Sequence, residues 1–135
     1  MALVMLDSDI CIQAMRRNEP AVLRRLSATR PGDVAISSIV AGELWVGVMK
    51  SRDRERGARA VSEFLALVEV VGWPPEAARV YGTIRAALEA RGRPIGAMDM
   101  LIAAHALHER ATLVTRNLAE FMRVDGLKVE SWTAA

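Results

Sequence analysis

The chain has 135 residues, of which 52% are hydrophobic and 4% aromatic, so it can form one domain around a largely aliphatic core. A net charge of +2 permits nucleic-acid contact without showing it, and the apolar runs are too short and too broken by charge to span a membrane. Cys11 is the one cysteine, which excludes an internal disulfide. With an N-terminal apolar run too short for a signal peptide, this favours a cytoplasmic protein.

The first half of the chain alternates short apolar runs with amphipathic segments, a pattern typical of alternating strands and helices. Ser8 or Asp9 is expected to cap the first helix. Ser37 or Ser38 is expected to cap the third. In chain order, the predicted elements are a strand at 3–6, helices at 10–17 and 21–28, a turn at 30–33, a strand at 34–37, and helices at 39–50 and 52–67.

The second half continues the alternation, with Gly92 as the expected stop of a long helix. Because strands and helices alternate along residues 1–135, the sequence predicts a single α/β domain around a parallel sheet. The predicted elements are a strand at 68–71, a helix at 76–92, a loop from 93 leading into a helix that contains Asp99 and ends near 110, a strand at 112–115, a helix at 118–124 and an edge strand at 127–131.

Acidic residues lie where the predicted strands end. Asp7 and Asp9 follow the first strand, Glu43 is on the helix after the second, and Asp99 is on the helix that returns to the fourth. Ligands of an open parallel sheet bind outside the carboxyl ends of its strands. Asp7, Glu43 and Asp99 have small or apolar neighbours, so we expect them to point into the structure rather than into water.

Three buried carboxylates need compensation, and one divalent cation can supply it for all of them. An all-oxygen site suits Mg²⁺ or Mn²⁺, which would activate a water and stabilise charge during phosphodiester cleavage. Taken singly, Asp9 and Glu120 are explained as well by an ordinary role, a helix cap or a surface acid, as by a role in the site. Arginines around the rim are predicted to hold RNA phosphates: Arg16, Arg85, Arg93 and Arg116.

The other reactive side chains indicate structural roles. His105 and His108 lack the acidic or cysteine partners of a zinc site, so we expect one core and one surface histidine. Cys11 has no nearby histidine and is interpreted as a structural thiol. Six methionines are interpreted as core filler: Met5, Met15, Met49, Met98, Met100 and Met122.

Four segments in this order resemble a PIN domain, and more narrowly a VapC-type toxin of a bacterial toxin–antitoxin pair. They are "MLDSDICI" (5–12), "AISSIVAGELWVGVMKS" (35–51), "RPIGAMDMLIAAHAL" (93–107) and "LVTRNLAEFMRVDGLKVESW" (113–132). The resemblance implies a Mg²⁺- or Mn²⁺-dependent endoribonuclease. It also implies a three-layer α/β/α fold whose central parallel sheet has the strand order 3-2-1-4-5.

The resemblance also implies site residues. The family's first three acids fall on Asp7, Glu43 and Asp99, as catalytic and metal-binding residues. Its "DTN" motif reads "DSD" here, so Asp9 stands where asparagine is usual and adds a negative charge.

The family's fourth acid, in its "TRD" or "TND" segment, falls on Asn117, which carries no charge. Glu120 lies one helical turn further on and is an alternative for that role. The hydroxyls of Thr115 and Ser38 are expected to support the site as secondary groups.

The family resemblance further implies partners. One is an RNA substrate. Another is a VapB-like antitoxin that covers the acidic pocket, often by inserting an arginine. The third is a second copy of the chain in a homodimer, with residues 48–65 as a contact surface. Trp45 and Val48 suit a groove for an apolar antitoxin helix, and they are also compatible with ordinary core positions.

Three other interpretations compete with a nuclease. The "VMLDSDIC" start resembles haloacid-dehalogenase-type phosphatases, but Cys11 stands where that family has Thr or Val, and no acidic pair occurs downstream. A PIN-like module that binds RNA or a partner without cleavage would account for the uncharged Asn117. A purely structural α/β domain would need each of the three acids to be paired separately.

Overall fold

The structure, a computed structural model, describes residues 3–133 and is built on a five-stranded sheet. The strand order is β3-β2-β1-β4-β5 and all neighbouring strands are parallel, which confirms the predicted 3-2-1-4-5 topology. The strands are β1 (Val4–Leu6), β2 (Val34–Ser37), β3 (Glu69–Val71), β4 (Thr112–Val114) and β5 (Lys128–Glu130).

Helices cover the sheet to form a three-layer α/β/α domain. The first four helices pack mainly among themselves, α5 packs against α6, and α3 also contacts α6. None of the helices described between residues 3 and 133 is long and apolar enough to cross a membrane. The helices are α1 (Ser8–Arg16), α2 (Pro20–Ala28), α3 (Ser38–Lys50), α4 (Arg54–Leu65), α5 (Ala77–Ala90), α6 (Ala97–His108) and α7 (Leu118–Phe121), with a 3-10 turn at Pro31–Asp33.

The core lies along the central strands. The side chains of β2 are all buried, and so are most of those in β1 and β4, whereas β3 forms an exposed edge with Val70 41% exposed. A parallel strand covered by helices on both faces is apolar throughout, which explains the unbroken apolar run at 34–36.

The caps that open α1 and α3 lie at the carboxyl ends of the strands. The prediction that Ser8 or Asp9 caps α1 is wrong, because the cap is Asp7, whose Oδ1 accepts from the Ser8 backbone N–H at 2.8 Å. The helix begins directly at Ser8, so the last extended residue before it is the aspartate. For α3 the cap is Ser37, one of the two predicted residues, with its Oγ accepting from the Ile39 N–H at 3.1 Å.

Gly92 stops α5 as predicted and sets the course of the next loop. Its φ of +66° is the left-handed conformation that glycine adopts without steric cost. The N–H of Gly92 donates to the Glu89 carbonyl, and the N–H of Arg93 donates to the Leu88 carbonyl at 2.9 Å. This Schellman motif turns the chain into the loop that leads to α6.

Two interpretations of single residues are settled by burial. His105 is fully buried and His108 is exposed, as predicted. The interpretation of the methionines as core filler is wrong for Met49, Met98 and Met122, which are 55%, 45% and 68% exposed. The aliphatic core is filled without them.

Candidate active site

Asp7 is the centre of an acidic cluster at the carboxyl edge of the sheet. It directly follows β1 and is 5% exposed. One carboxylate oxygen caps α1, and the other, Oδ2, accepts a 2.9 Å hydrogen bond from the Thr115 hydroxyl. Both oxygens are therefore held in place by neighbouring chain segments.

Thr115 follows β4, the strand beside β1, and is fully buried. Its Oγ1 donates to Asp7 and accepts from the Asn117 backbone N–H at 2.9 Å. The hydroxyl thus lies where a secondary group for the site was expected. Asn117 contributes its backbone to this arrangement, and its side chain is exposed.

Three carboxyl groups at this edge of the sheet have raised pKa values. Burial raises the pKa of Asp7, of Glu43 and, to about 6, of Asp99. After burial, the negative charge of Asp7 is the next largest cause that raises the pKa of Glu43 and Asp99. The structure therefore brings together the three acids that the sequence singled out.

Two further acids border the cluster. The charge of Glu120, on α7, contributes to the raised pKa of Asp99. The charge of Asp9, which is exposed on the first turn of α1, adds to the raised pKa of Asp7, Glu43 and Asp99. Glu120 therefore lies close enough to act on Asp99, and the choice between Asn117 and Glu120 as the fourth group stays a prediction.

Within residues 3–133, the cluster has no salt-bridge partner. Among residues 3–133, none of the salt bridges involves Asp7, Glu43 or Asp99, and Glu43 Oε1 is buried without a hydrogen-bond partner. Such a group is costly unless a ligand satisfies it. A hard divalent cation has the required charge and prefers oxygen ligands.

The carboxylates lie near one another but do not form a complete coordination sphere for one ion. In the described part of the chain, no three Asp, Glu, His or Cys side chains converge tightly enough to ligate one ion together. Mg²⁺ retains several waters and commonly takes one or two carboxylates directly. The donor set could therefore hold a hydrated divalent ion, with Asp7, Glu43 and Asp99 as the residues that would bind it.

The structure shows Ser38 bonded to the loop after β3, and its supporting role at the site stays a prediction. Its hydroxyl accepts a 2.9 Å hydrogen bond from the Trp73 backbone N–H and so anchors the loop after β3. The neighbouring Ser37 points to the buried side of the sheet edge, where its Oγ lies 2.8 Å from His105 Nδ1.

The Ser37–His105 contact ties α3, which carries Glu43, to α6, which carries Asp99. Burial lowers the pKa of His105, so the imidazole is neutral and can share one hydrogen with the serine. Sequence reasoning missed this link. The alanines beside His105 predict its burial, but its partner is distant in the chain.

The four predicted phosphate-binding arginines have different surroundings. Arg85 is engaged by Tyr81 at 2.7 Å and by Glu89 at 3.0 Å on its own helix, so its charge is already paired. Arg16 lines a groove together with Glu43. Arg93 and Arg116 are exposed.

A groove leads away from the acidic cluster between α1, α3 and α4. Its volume is about 270 Å³, and Glu43 lies in its wall beside aliphatic side chains. Val48 is buried in the groove wall, whereas Trp45 is not part of its lining and is 37% exposed. The lining comprises Ile12, Met15, Arg16, Glu43, Leu44, Gly47, Val48, Ser51, Gly57, Ala60 and Val61.

The PIN domain family matches residues 4–127 of the chain. Two similar proteins are Ribonuclease VapC2 of Rickettsia felis, 39% identical over 129 residues (95% of this chain and 96% of the relative), and the tRNA(fMet)-specific endonuclease VapC of Shigella flexneri, also 39% identical over 129 residues (96% and 97%).

Solved structures of complexes show the same fold. The VapBC2 structure from Rickettsia felis, bound to a DNA fragment from its promoter, superposes with a TM-score of 0.91 and 37% identity over 96% of this chain and 98% of that one. DNA-bound VapBC from Salmonella typhimurium gives a TM-score of 0.92 and 36% identity over 98% and 99%.

Proposed function

This chain belongs to the PIN-domain family, among the VapC toxin ribonucleases, and from that premise we propose that its acidic cluster cleaves RNA with the help of Mg²⁺ or Mn²⁺. Asp7, Glu43 and Asp99 are the metal-binding and catalytic residues of this proposal, with Glu120 as the fourth acid. Asp9 and Asn117 border the site, and Thr115 positions Asp7.

One observation carries the proposal. Asp7 is buried beside the half-buried Glu43 and Asp99, the pKa values of all three carboxyl groups are raised, and Glu43 Oε1 is buried without a hydrogen-bond partner. A fold retains such mutual repulsion at a cost in stability, which is typical of a functional site. A divalent cation would offset the repulsion among the carboxylates and give Glu43 Oε1 a partner.

The bound ion would supply an activated water and stabilise charge on the phosphoryl oxygens. The chain's own residues position it. Thr115 and the Ser8 N–H fix the two oxygens of Asp7. A Cβ at Gly96 would lie 3.4 Å from Asp99 Oδ2, so glycine leaves room for that carboxylate at the start of α6.

The partner proposed for the groove is a VapB-like antitoxin. The similar complexes from Rickettsia felis and Salmonella typhimurium are VapBC assemblies, as their descriptions state. The groove is apolar along α3 and α4 and reaches Glu43, so an apolar helix can lie in it while a following cation approaches the carboxylates. Homodimerisation through residues 48–65 stays a prediction.

The other interpretations are less favoured. The relatives are named ribonucleases, and this chain retains the three acids, which speaks against an inactive binding module. The match to the PIN family disfavours a dehalogenase-type phosphatase. A purely structural domain needs separately paired acids, whereas within residues 3–133 Asp7, Glu43 and Asp99 form no ion pair.

The test is cleavage of total bacterial RNA by antitoxin-free protein with Mg²⁺, with Mn²⁺ and with EDTA, beside Asp99→Asn. We expect metal-dependent cuts that the variant loses and EDTA abolishes, and mapping the new ends would identify the RNA. RNA binding by folded protein without cleavage under either metal would favour the inactive binding module.

A further inference from the structure

A cationic pocket lies beside the acidic cluster, where the end of α5, the loop 91–96 and α7 meet. Its volume is about 270 Å³, and its lining includes Arg91, Arg93, Arg123 and Met122. Asp125 is the one acid among the described residues that line it, and it pairs with Arg91 at 3.6 Å. We call these five residues the arginine pocket, and its net charge is positive.

The arginine pocket is held in shape by its own hydrogen bonds. Arg123 Nη1 donates to the Pro94 carbonyl at 3.2 Å, and Arg91 Nη2 donates to the Arg123 carbonyl at 3.1 Å. The Schellman motif after α5 fixes the backbone of Arg93. Arginines that are already positioned lose less conformational entropy when they bind an anion.

The pocket is near the carboxylates. Arg123 contacts Pro94, two residues before Gly96, and Asp99 Oδ2 lies against Gly96. Two residues span at most about 7 Å. On α7, Glu120 acts on Asp99 while Ala119 lines the pocket together with Met122, the residue that follows the helix, so one short helix borders both sites.

An RNA strand that enters the acidic cluster meets like charge there. Part of the affinity must therefore come from cations close by, and phosphate contacts dominate nucleic-acid affinity. The two sites share the segment between Pro94 and Gly96, so one strand can reach both of them. Met122, which is 68% exposed, adds an apolar surface beside the guanidinium groups.

We propose that the arginine pocket binds a backbone phosphate of the RNA strand, one or two nucleotides from the bond that the acidic cluster cleaves. Arg93 and Arg123 provide the charge, and Met122 contacts the adjoining sugar or base. This inference rests on the proposed function and deepens it by assigning a substrate-binding site outside the carboxylates.

The test measures binding of bulk bacterial tRNA to an Asp99→Asn parent by fluorescence anisotropy between about 50 and 200 mM salt. We expect Arg123→Gln and Arg93→Gln each to weaken binding several-fold at low salt, and to reduce the slope of log K against log salt by about 0.7 to 0.9. Arg123→Lys keeps the charge and is expected to keep the slope. If the effect of Arg123→Gln came from a loss of local structure, Arg123→Lys would not keep the slope. The matched control is Arg24→Gln, which removes an exposed charge from α2.

The outcomes separate the two proposals. If the parent binds tRNA and the pocket variants bind it with the parent's affinity and slope, the arginine pocket is wrong and the acidic site stands. If the variants lose antitoxin binding but keep tRNA binding, the pocket serves the partner protein and the inference is also overturned. A folded parent that binds no RNA would overturn both the pocket and the proposed function.

Discussion

Thr115 Oγ1 lies 2.9 Å from Asp7 Oδ2 and donates a hydrogen bond to it between the ends of two adjacent strands. Both residues are buried. Burial raises the pKa of Asp7, and the Thr115 hydrogen bond acts against it by favouring the ionised carboxylate. The Thr115 hydroxyl, at the end of β4, thus keeps the Asp7 carboxylate, at the end of β1, ionised and available to a cation.

Replacement of Thr115 by valine removes this hydrogen bond at nearly constant volume. We expect the pKa of Asp7 to rise further, and metal-dependent cleavage at neutral pH to fall about 10-fold or more, as for other groups that orient a metal ligand. Part of the loss should be recovered at higher pH. Cleavage rates between pH 6 and 9, measured at several metal concentrations, check this.

Thr115→Ser is the matched control, because it retains the hydroxyl for Asp7 and for the Asn117 N–H. It should restore most of the activity. Equal losses in the valine and serine variants would contradict a role for the hydrogen bond and point to packing of the methyl group.

Asp99→Asn should change activity and stability in opposite directions. The folded-state pKa of about 6 lies above the value near 3.9 of an unfolded aspartate, so metal-free protein loses stability as pH rises through that interval. At pH 7.5 with EDTA the variant should be more stable by about 1 to 2 kcal/mol, after allowance for solvent screening of a half-buried group.

Chemical denaturation of parent and variant in EDTA at pH 4, 5.5 and 7.5 measures this difference. The advantage of the variant should shrink toward zero at the lowest pH, where the carboxyl group is protonated in the folded state and about half protonated in the unfolded state. A variant that is less stable than its parent at pH 7.5 would show that Asp99 has a favourable partner within the chain.

Protons and metal should compete for the cluster. The pKa of Asp99 is raised to about 6, and burial also raises the pKa values of Glu43 and Asp7, so protons compete with a cation for these carboxylates. Cleavage should fall below about pH 6, and a higher Mn²⁺ concentration should move the acid limb to lower pH. If the acid limb of the pH–rate profile does not move with the metal concentration, the titrating group lies outside the cluster.

Glu120 and Asn117 differ in what they offer the site. The charge of Glu120 acts on Asp99, whereas Asn117 contributes its backbone N–H to Thr115. Glu120→Gln should therefore weaken Mn²⁺ binding and cleavage about 10-fold, and Asn117→Ala should change them by less than about threefold. Mn²⁺ binding followed by electron paramagnetic resonance, beside cleavage assays, compares the two. A larger loss in Asn117→Ala than in Glu120→Gln would instead favour Asn117 as the fourth group of the site.

The groove predicts a variant that escapes its antitoxin. Ala60 is exposed and lines the groove, so Ala60→Arg should fill it without disturbing the core. We expect antitoxin affinity to fall by about 100-fold or more, because groove centres contribute most of the binding energy. Cleavage of RNA by the free protein should persist.

Ala28→Arg, at the exposed end of α2, introduces the same side chain away from the groove and is the control. Titration of each variant with purified antitoxin, by calorimetry and by inhibition of cleavage, gives the comparison. Unchanged inhibition of Ala60→Arg would place the antitoxin on another surface.

The alternation of strands and helices could be predicted from the residues alone, and so could the three acids of the candidate site. Short apolar runs ending in polar residues identify β1 and β2, and Asp7, Glu43 and Asp99 were recognisable because each carboxylate has apolar neighbours along the chain. These are local signals, carried by the spacing of apolar residues and by the cost of burying a charge.

The tertiary structure decided which partner each polar side chain has. Neighbouring Ser37 and Ser38 look equivalent in the sequence, yet one meets His105 and the other the Trp73 backbone. Asp7 rather than Ser8 or Asp9 caps α1, and Arg123 donates to the Pro94 carbonyl and lines the same pocket as Arg93. Such pairings depend on how distant segments meet in three dimensions, which residue spacing along one chain does not encode.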